Sequence, residues 1–401
     1  MSTDAPTDLR TAANTRALER ILAVEPRWAA VASARDLLDL PDRTLLHAGP
    51  ALADPCAPPP PMRNAAVLSC LHEGWATDEA EAERLIATGA VRLEPTHTRR
   101  VSSPLVSMIS PRTTLAVLES GTGAATVRWH AFLGTGGGAQ QRFGTRDRSI
   151  LDRLAFRETT LHQGFAALLT APVDLLSIAR SALTEGDDLH NRLSSATTVL
   201  HAVLATRNCD APEAKAALAT VLEAPLYFLN LWIPACALML DAATDVPGAS
   251  LVTRLCANGE AIGIQLAGLP GRWFTAAATP VRGPFMKGAP ENPQFPAVTG
   301  DSGIIDAFGL GGQVLHRAPS LQTAFAPWLA ADDNARARAL LAGIHPVLGV
   351  AVGLDAAAVA RTRRSPLLST GMVSADGRGL LGRGLCEVPG PLFAQAVAAL
   401  G

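Results

Sequence analysis

Between residues 185 and 192 the chain reads Glu-Gly-Asp-Asp-Leu-His-Asn-Arg, with six polar side chains in eight positions, inside a long apolar stretch. On a helix, Asp187, His190 and Asn191 fall at i, i+3 and i+4 and so share one face. A carboxylate that orients an imidazole makes an acid/base pair. The Asn191 amide could polarise a carbonyl, and the Arg192 guanidinium could fork onto an anion. Burying such groups without purpose is costly. The same run also reads as a helix start with aspartate caps and surface ion pairs.

Three further segments have residue types suited to anions. Gly300-Asp301-Ser302-Gly303, followed by Gly309-Leu310-Gly311-Gly312, reads as an N-cap before an apolar helix. It reads also as a glycine turn whose free N–H groups face an anion. Phe132 to Gly144 leads from a strand into glycines, but it is neither a Walker motif nor a dinucleotide fingerprint; a plain loop is the expectation. Residues 92–100 end a strand with His97, Arg99 and Arg100, and His47 sits at a similar strand end; sheet ends of this kind bind ligands. A solvated basic loop and a structural histidine are the alternatives there. GxSxG, HExxH and CxxC are absent from the sequence. Lys215 and Lys287 are the lysines among 34 Lys and Arg residues, so lysine chemistry has two candidates. Cys236 and Cys256 read as core residues in apolar helices.

The elements that position these residues divide in three. Residues 1–146 alternate helix and strand: a helix from Thr11, strands at 44–50, 91–97, 114–120 and 126–134, and a helix from Arg63 to Gly74. Residues 147–246 read as Ala/Leu-rich helices. Residues 247–401 return to mixed structure, with a helix over 250–259 and strands over 261–269 and 273–281. The fold class expected is multi-domain α/β with a helical middle region. The length of 401 residues suits two or three domains. Charged residues are 17% of the chain, below the usual share of about 25%. That leaves room for a surface covered by a partner, a second copy of the chain included. The net charge of −2 gives no electrostatic footprint for nucleic acid or an anionic membrane. Six unpaired-looking cysteines and an N-terminus without an apolar signal segment point to the cytoplasm. The apolar run 224–240 approaches the length of a membrane span, but Pro225, Asn230 and Pro234 favour a buried core helix.

With these segments laid out, the chain resembles the YlbE-like family, which includes the AllG subunit of oxamate carbamoyltransferase. The resemblance runs through residues 15–31, 42–50, 61–85 and 103–111, then GDDLHNR (186–192), residues 246–276, TGDSGIIDAFGLGG (299–312) and residues 369–385. It departs after the strand at Val91. There the family tends to carry a histidine-rich turn, and this chain keeps His97 followed by Thr98, Arg99 and Arg100. The resemblance implies carbamoyl exchange between oxalurate and phosphate, giving oxamate and carbamoyl phosphate within allantoin breakdown. It implies FdrA-like and AllH-like partner subunits, with phosphate as co-substrate; no cofactor is expected, and no residue spacing in the sequence forms a metal site. Mapped onto this sequence, His190 oriented by Asp187 is the acid/base and Asn191 polarises the carbonyl. Arg192 and Arg63 bind anions, Gly300, Asp301 and Ser302 supply the turn, and His47 and His97 complete the rim. A non-catalytic scaffold and a hydrolase of another ureido or cyclic amide compound are the competing readings.

Overall fold

Thr114–Ser120 carries Leu115, Val117 and Leu118 into the core and is the centre of a five-stranded sheet. The computed structural model describes residues 5–207 and 209–401. The spatial order of the sheet is Val101–Ser102, Val127–Phe132, Thr114–Ser120, Arg27–Ser33, Val173–Asp174. The first pair is parallel and the others are antiparallel. Beside this sheet, Thr44–His47 pairs in parallel with Arg92–Pro95. Helix Pro60–Glu73 follows its proline-rich loop directly, with Pro at its first turn, where a missing N–H costs nothing.

The middle of the chain is helical, as the Ala/Leu pattern predicts. Among the described residues six α-helices lie between Ser149 and Asp241, and Asp174 caps one of them by accepting from the amides of Leu176 and Ser177. The apolar run becomes helix Leu229–Asp241, almost wholly buried, packed on strand Val127–Phe132. Among the described residues no helix is long and apolar enough to cross a membrane.

The expectation of a helix over 250–259 is wrong. Val252–Asn258 is a strand with every residue buried, inside the antiparallel order Leu269–Ala277, Ala261–Leu266, Val252–Asn258, Thr299–Gly300. Leu251, Val252, Leu255 and Cys256 fall at helical intervals. A strand buried on both faces carries no alternation to contradict that reading. Its polar residues are matched individually: Arg254 pairs with Asp241 and stacks over Trp129, and Asn258 donates to the Pro50 carbonyl. Cys256 therefore lies on a strand and Cys236 on a helix; burial pushes both thiols well up, as inert core residues require. Helix Gly303–Phe308 lies on strand Val252–Asn258, and a hairpin of Leu367–Val373 with Leu380–Glu387 closes the site from the other side.

The result is a multi-domain α/β fold with elements from all three sequence segments in contact. Strand Val173–Asp174, from the helical segment, edges the first sheet, and the largest hydrophobic core draws side chains from Ala13 to Ala396.

Candidate active site

His190 and Asn191 do not lie on a helix. One helix ends at Thr184 and the next starts at Ser194; between them the chain makes an irregular turn with Leu189 at φ 62°. Asp188 builds the turn. One of its carboxylate oxygens accepts from the amides of His190, Asn191 and Arg192 at 3.0, 2.9 and 2.8 Å. A short acidic side chain that captures three successive N–H groups outcompetes helix propagation. Asp187 does not orient His190. It accepts from the Ala196 amide at the start of the next helix and pairs with Arg192 at 2.8 Å. Burial pushes the Asp187 carboxyl up to about 6.

The carboxylate beside His190 belongs to Asp306, on helix Gly303–Phe308. His190 Nδ1 lies 2.8 Å from Asp306 Oδ2. Asp306 is fully buried, and its other oxygen accepts from the amides of Gly312 and Ser369. Burial pushes its carboxyl up, while His190 and those amides pull it back. The glycine turn of residues 309–312 therefore spends its N–H groups inside the protein: Gly312 on Asp306, Gly311 on the Asp188 carbonyl. Gly311 is held at φ 56°, and a Cβ there would lie 2.6 Å from Asp306 Oδ1 and 3.0 Å from His190 Nδ1. Gly311→Ala must therefore wedge the pair apart. It should cost about 1–3 kcal/mol of stability and about 10²-fold in turnover, read by denaturant unfolding and by kinetics of the assembled enzyme.

His190 and Asn191 line a cavity of about 470 Å³ with Ser302, Thr370, Arg142 and Arg383. The rest of its wall is apolar: Pro104, Leu105, Phe143, Leu226, Leu229 and Leu380. A wider mouth of about 1000 Å³ shares Arg142 and Arg383 and is bordered by Gly136–Gly138, Gln140 and Arg378. Arg142 is 5% exposed, stacks over the Phe143 ring and has a buried Nε without a partner. Burial pushes its guanidinium down to about 10, and the charge of Arg383 adds to this. Arg383 donates to the Asn191 carbonyl, and burial lowers it too. The Asn191 Nδ2 is buried without a partner. Two neighbouring cations, an unpaired amide and a histidine thus converge on one volume. Among the described residues no cluster of three or more His, Cys, Asp or Glu is arranged to hold a metal ion.

Of the residues singled out from sequence, the structure brings His190, Asn191 and Ser302 together. Arg192 is tied to Asp187 and to the Glu185 carbonyl. Arg63 is exposed on helix Pro60–Glu73 and lines no part of the cavity. Asp301 is a buried fastener that accepts from the Gly49 amide, the Thr96 hydroxyl and the Ser103 amide. Gly300, at φ 113°, lets the backbone approach Leu105, where a Cβ would meet the Leu105 amide at 2.7 Å. His47 and His97 lie outside the cavity, and burial pushes each down to about 4. His47 contacts the Ala48 carbonyl, and His97 accepts from the Trp273 indole. Neutral imidazoles of this kind give an anion no charge. Arg99 is spent on the Leu38 carbonyl and Glu94, and Arg100 on Asp241. Sequence reasoning missed Arg142, Arg383, Asp306 and Thr370. Arg142 stands within the glycine-led segment set aside as a loop, and its one signal was a lone arginine between Gln141 and Phe143.

A family model described as oxamate carbamoyltransferase subunit AllG matches residues 91–302. The chain is 30% identical over 413 residues to oxamate carbamoyltransferase subunit AllG of Escherichia coli K12, covering 97% of each protein. It is 27% identical over 409 residues to the uncharacterized protein YahG of the same organism, covering 96% of this chain and 85% of the relative. In fold it resembles the crystal structure of a conserved protein of unknown function from Enterococcus faecalis V583, with a TM-score of 0.90, 25% identity and 98% of both chains covered. The family match takes in Arg142, His190, Asn191 and Ser302, and the identity extends over nearly the whole length: this chain belongs to the AllG family.

Proposed function

We propose that the chain is a subunit of a carbamoyltransferase-like enzyme, and that its cavity is where a carbamoyl group passes between phosphate and a ureido acid such as oxalurate. The carrying observation is the pair of neighbouring cations beside His190, Arg142 buried and Arg383 half-buried. Such a site is stabilised by an anion, and both reactants are anions. These two arginines take over the role that the family resemblance gave to Arg192 and Arg63.

The chemistry follows from what each group can do. A phosphate oxygen attacks the ureido carbon, and its P–OH proton passes to His190 Nε2, the ring nitrogen that Asp306 leaves available. The Asn191 amide donates to the carbonyl oxygen as that oxygen gains charge. The C–N bond then breaks, its electron pair stays on nitrogen, and His190 returns the proton to that nitrogen. The products are carbamoyl phosphate and an amide; for oxalurate the amide is oxamate. FdrA-like and AllH-like subunits in the cytoplasm complete the assembly in this reading, phosphate is the co-substrate, and no cofactor is used.

The test is to assemble the chain with FdrA-like and AllH-like subunits and supply oxalurate with and without phosphate, detecting carbamoyl phosphate directly. Phosphate-dependent product is the expected result. Cleavage that proceeds without phosphate would mark a hydrolase. Full activity in every cavity variant would make the chain a scaffold.

A further inference from the structure

The cavity has two unlike sets of lining groups. Arg142, Arg383, His190, Asn191, Ser302 and Thr370 supply its charge and polarity, whereas Leu105, Phe143, Leu226, Leu229 and Leu380 supply none. Phe143, Leu226, Leu229 and Leu380 are only half-buried, so apolar surface on each still faces the cavity or its mouth. Oxamate has nothing to put there. Both of its carbons carry oxygen, and one also carries the amide nitrogen. Laid against leucine, those groups lose water and gain no partner. An apolar substituent would instead bury its surface against those side chains.

We infer that the carbamoyl acceptor taken by this chain is a short amide with a carboxylate at one end and an apolar substituent on the carbon between. This rests on the carbamoyl-transfer reading. The carboxylate lies on the arginines, the amide nitrogen faces His190, and the substituent covers Leu226 and Leu229. In the direction of ureido synthesis, the amide nitrogen attacks the carbon of carbamoyl phosphate. The C–O bond to phosphate breaks and its electron pair leaves with the phosphate. The proton lost by nitrogen passes through His190 to that phosphate, so atoms and charge balance.

The experiment supplies the assembled enzyme with carbamoyl phosphate and three acceptors: oxamate, malonamate and 2-isopropylmalonamate. The isopropyl compound should exceed oxamate by about 10-fold or more in kcat/KM, the discrimination available from added apolar groups in a matching pocket. Titration calorimetry of this chain with the same three compounds should rank them alike. Leu226→Asn and Leu229→Asn should bring the ratio toward one; both leucines also pack on the core, so the ratio, measured on folded protein, is the readout and not absolute activity. A preference for oxamate, or a ratio that neither variant moves, overturns the inference and leaves carbamoyl transfer standing. If none of the three binds or is carbamoylated, the inference and the reading beneath it both fail.

Discussion

Replacing His190 with alanine lowers turnover of the assembled enzyme by roughly 10²–10⁴-fold, the range for loss of a positioned acid/base. KM for the anionic substrates changes far less, because Arg142 and Arg383 remain. The reason lies in the proton balance. In the proposed transfer phosphate loses a proton as it attacks and the departing nitrogen needs one, and His190 is the imidazole that lines the cavity to take and return it. Asp306 acts through His190, because it lies behind the ring, fully buried, with Oδ2 at 2.8 Å from Nδ1. Asp306→Asn therefore lowers turnover as well, and the pH profile of kcat shifts, since an amide no longer favours the protonated ring. The double variant should lose no more than His190→Ala alone, since two residues working as one unit are non-additive. A purely structural role for Asp306 would instead add its own loss and leave the pH profile in place. Unchanged turnover in His190→Ala removes the residue from the chemistry.

The sequence marked a turn that the structure places on the cavity wall, but as a helix face. EGDDLHNR (185–192) was legible as a cluster because six polar groups interrupt an apolar stretch, and that composition survives whatever conformation holds it. The helix drawn through it was not legible as an error. The choice between a helix and an aspartate-built turn depends on whether the Asp188 carboxylate captures its neighbours' amides, which spacing alone does not state. The partner carboxylate was beyond reach for a different reason. Asp306 meets His190 only because a glycine turn with no room for a side chain brings two distant segments together. Arg142 and Arg383 were hidden by their background, since nearly every basic residue in this chain is an arginine. What distinguishes them is that both line one cavity without an ion pair to a carboxylate, a property of the fold. His47 and His97 failed in the opposite sense. Strand ends of this type host ligands often enough to draw attention, yet packing here closed over both rings and left them neutral. Among the strands, Thr114–Ser120 and Val127–Phe132 were readable, whereas Val252–Asn258, buried on both faces, had no alternation to read.

Arg142→Met separates binding from folding more sharply than any other substitution in the site. The guanidinium is 5% exposed, its Nε has no partner, and the like charge of Arg383 works against it. Tyr227 offsets part of this, and so does the Phe143 ring, 4.7 Å away. A contact of that kind contributes about 0.5–2 kcal/mol, less than the several kcal/mol that desolvating an ion costs. Methionine fills similar volume without the charge, so the free chain should gain about 1 kcal/mol or more in denaturant unfolding. Affinity for phosphate or a substrate carboxylate should fall by roughly 2–5 kcal/mol, or about 30- to 5,000-fold in Kd by calorimetry. Added phosphate should raise the melting temperature of the native chain and leave that of the variant unmoved, because a ligand stabilises only the state that binds it. Opposite signs for stability and affinity are the signature of a charge kept for its ligand. Should the variant lose stability and affinity together, Arg142 is holding the fold, and the anion must be held by Arg383 or by another subunit.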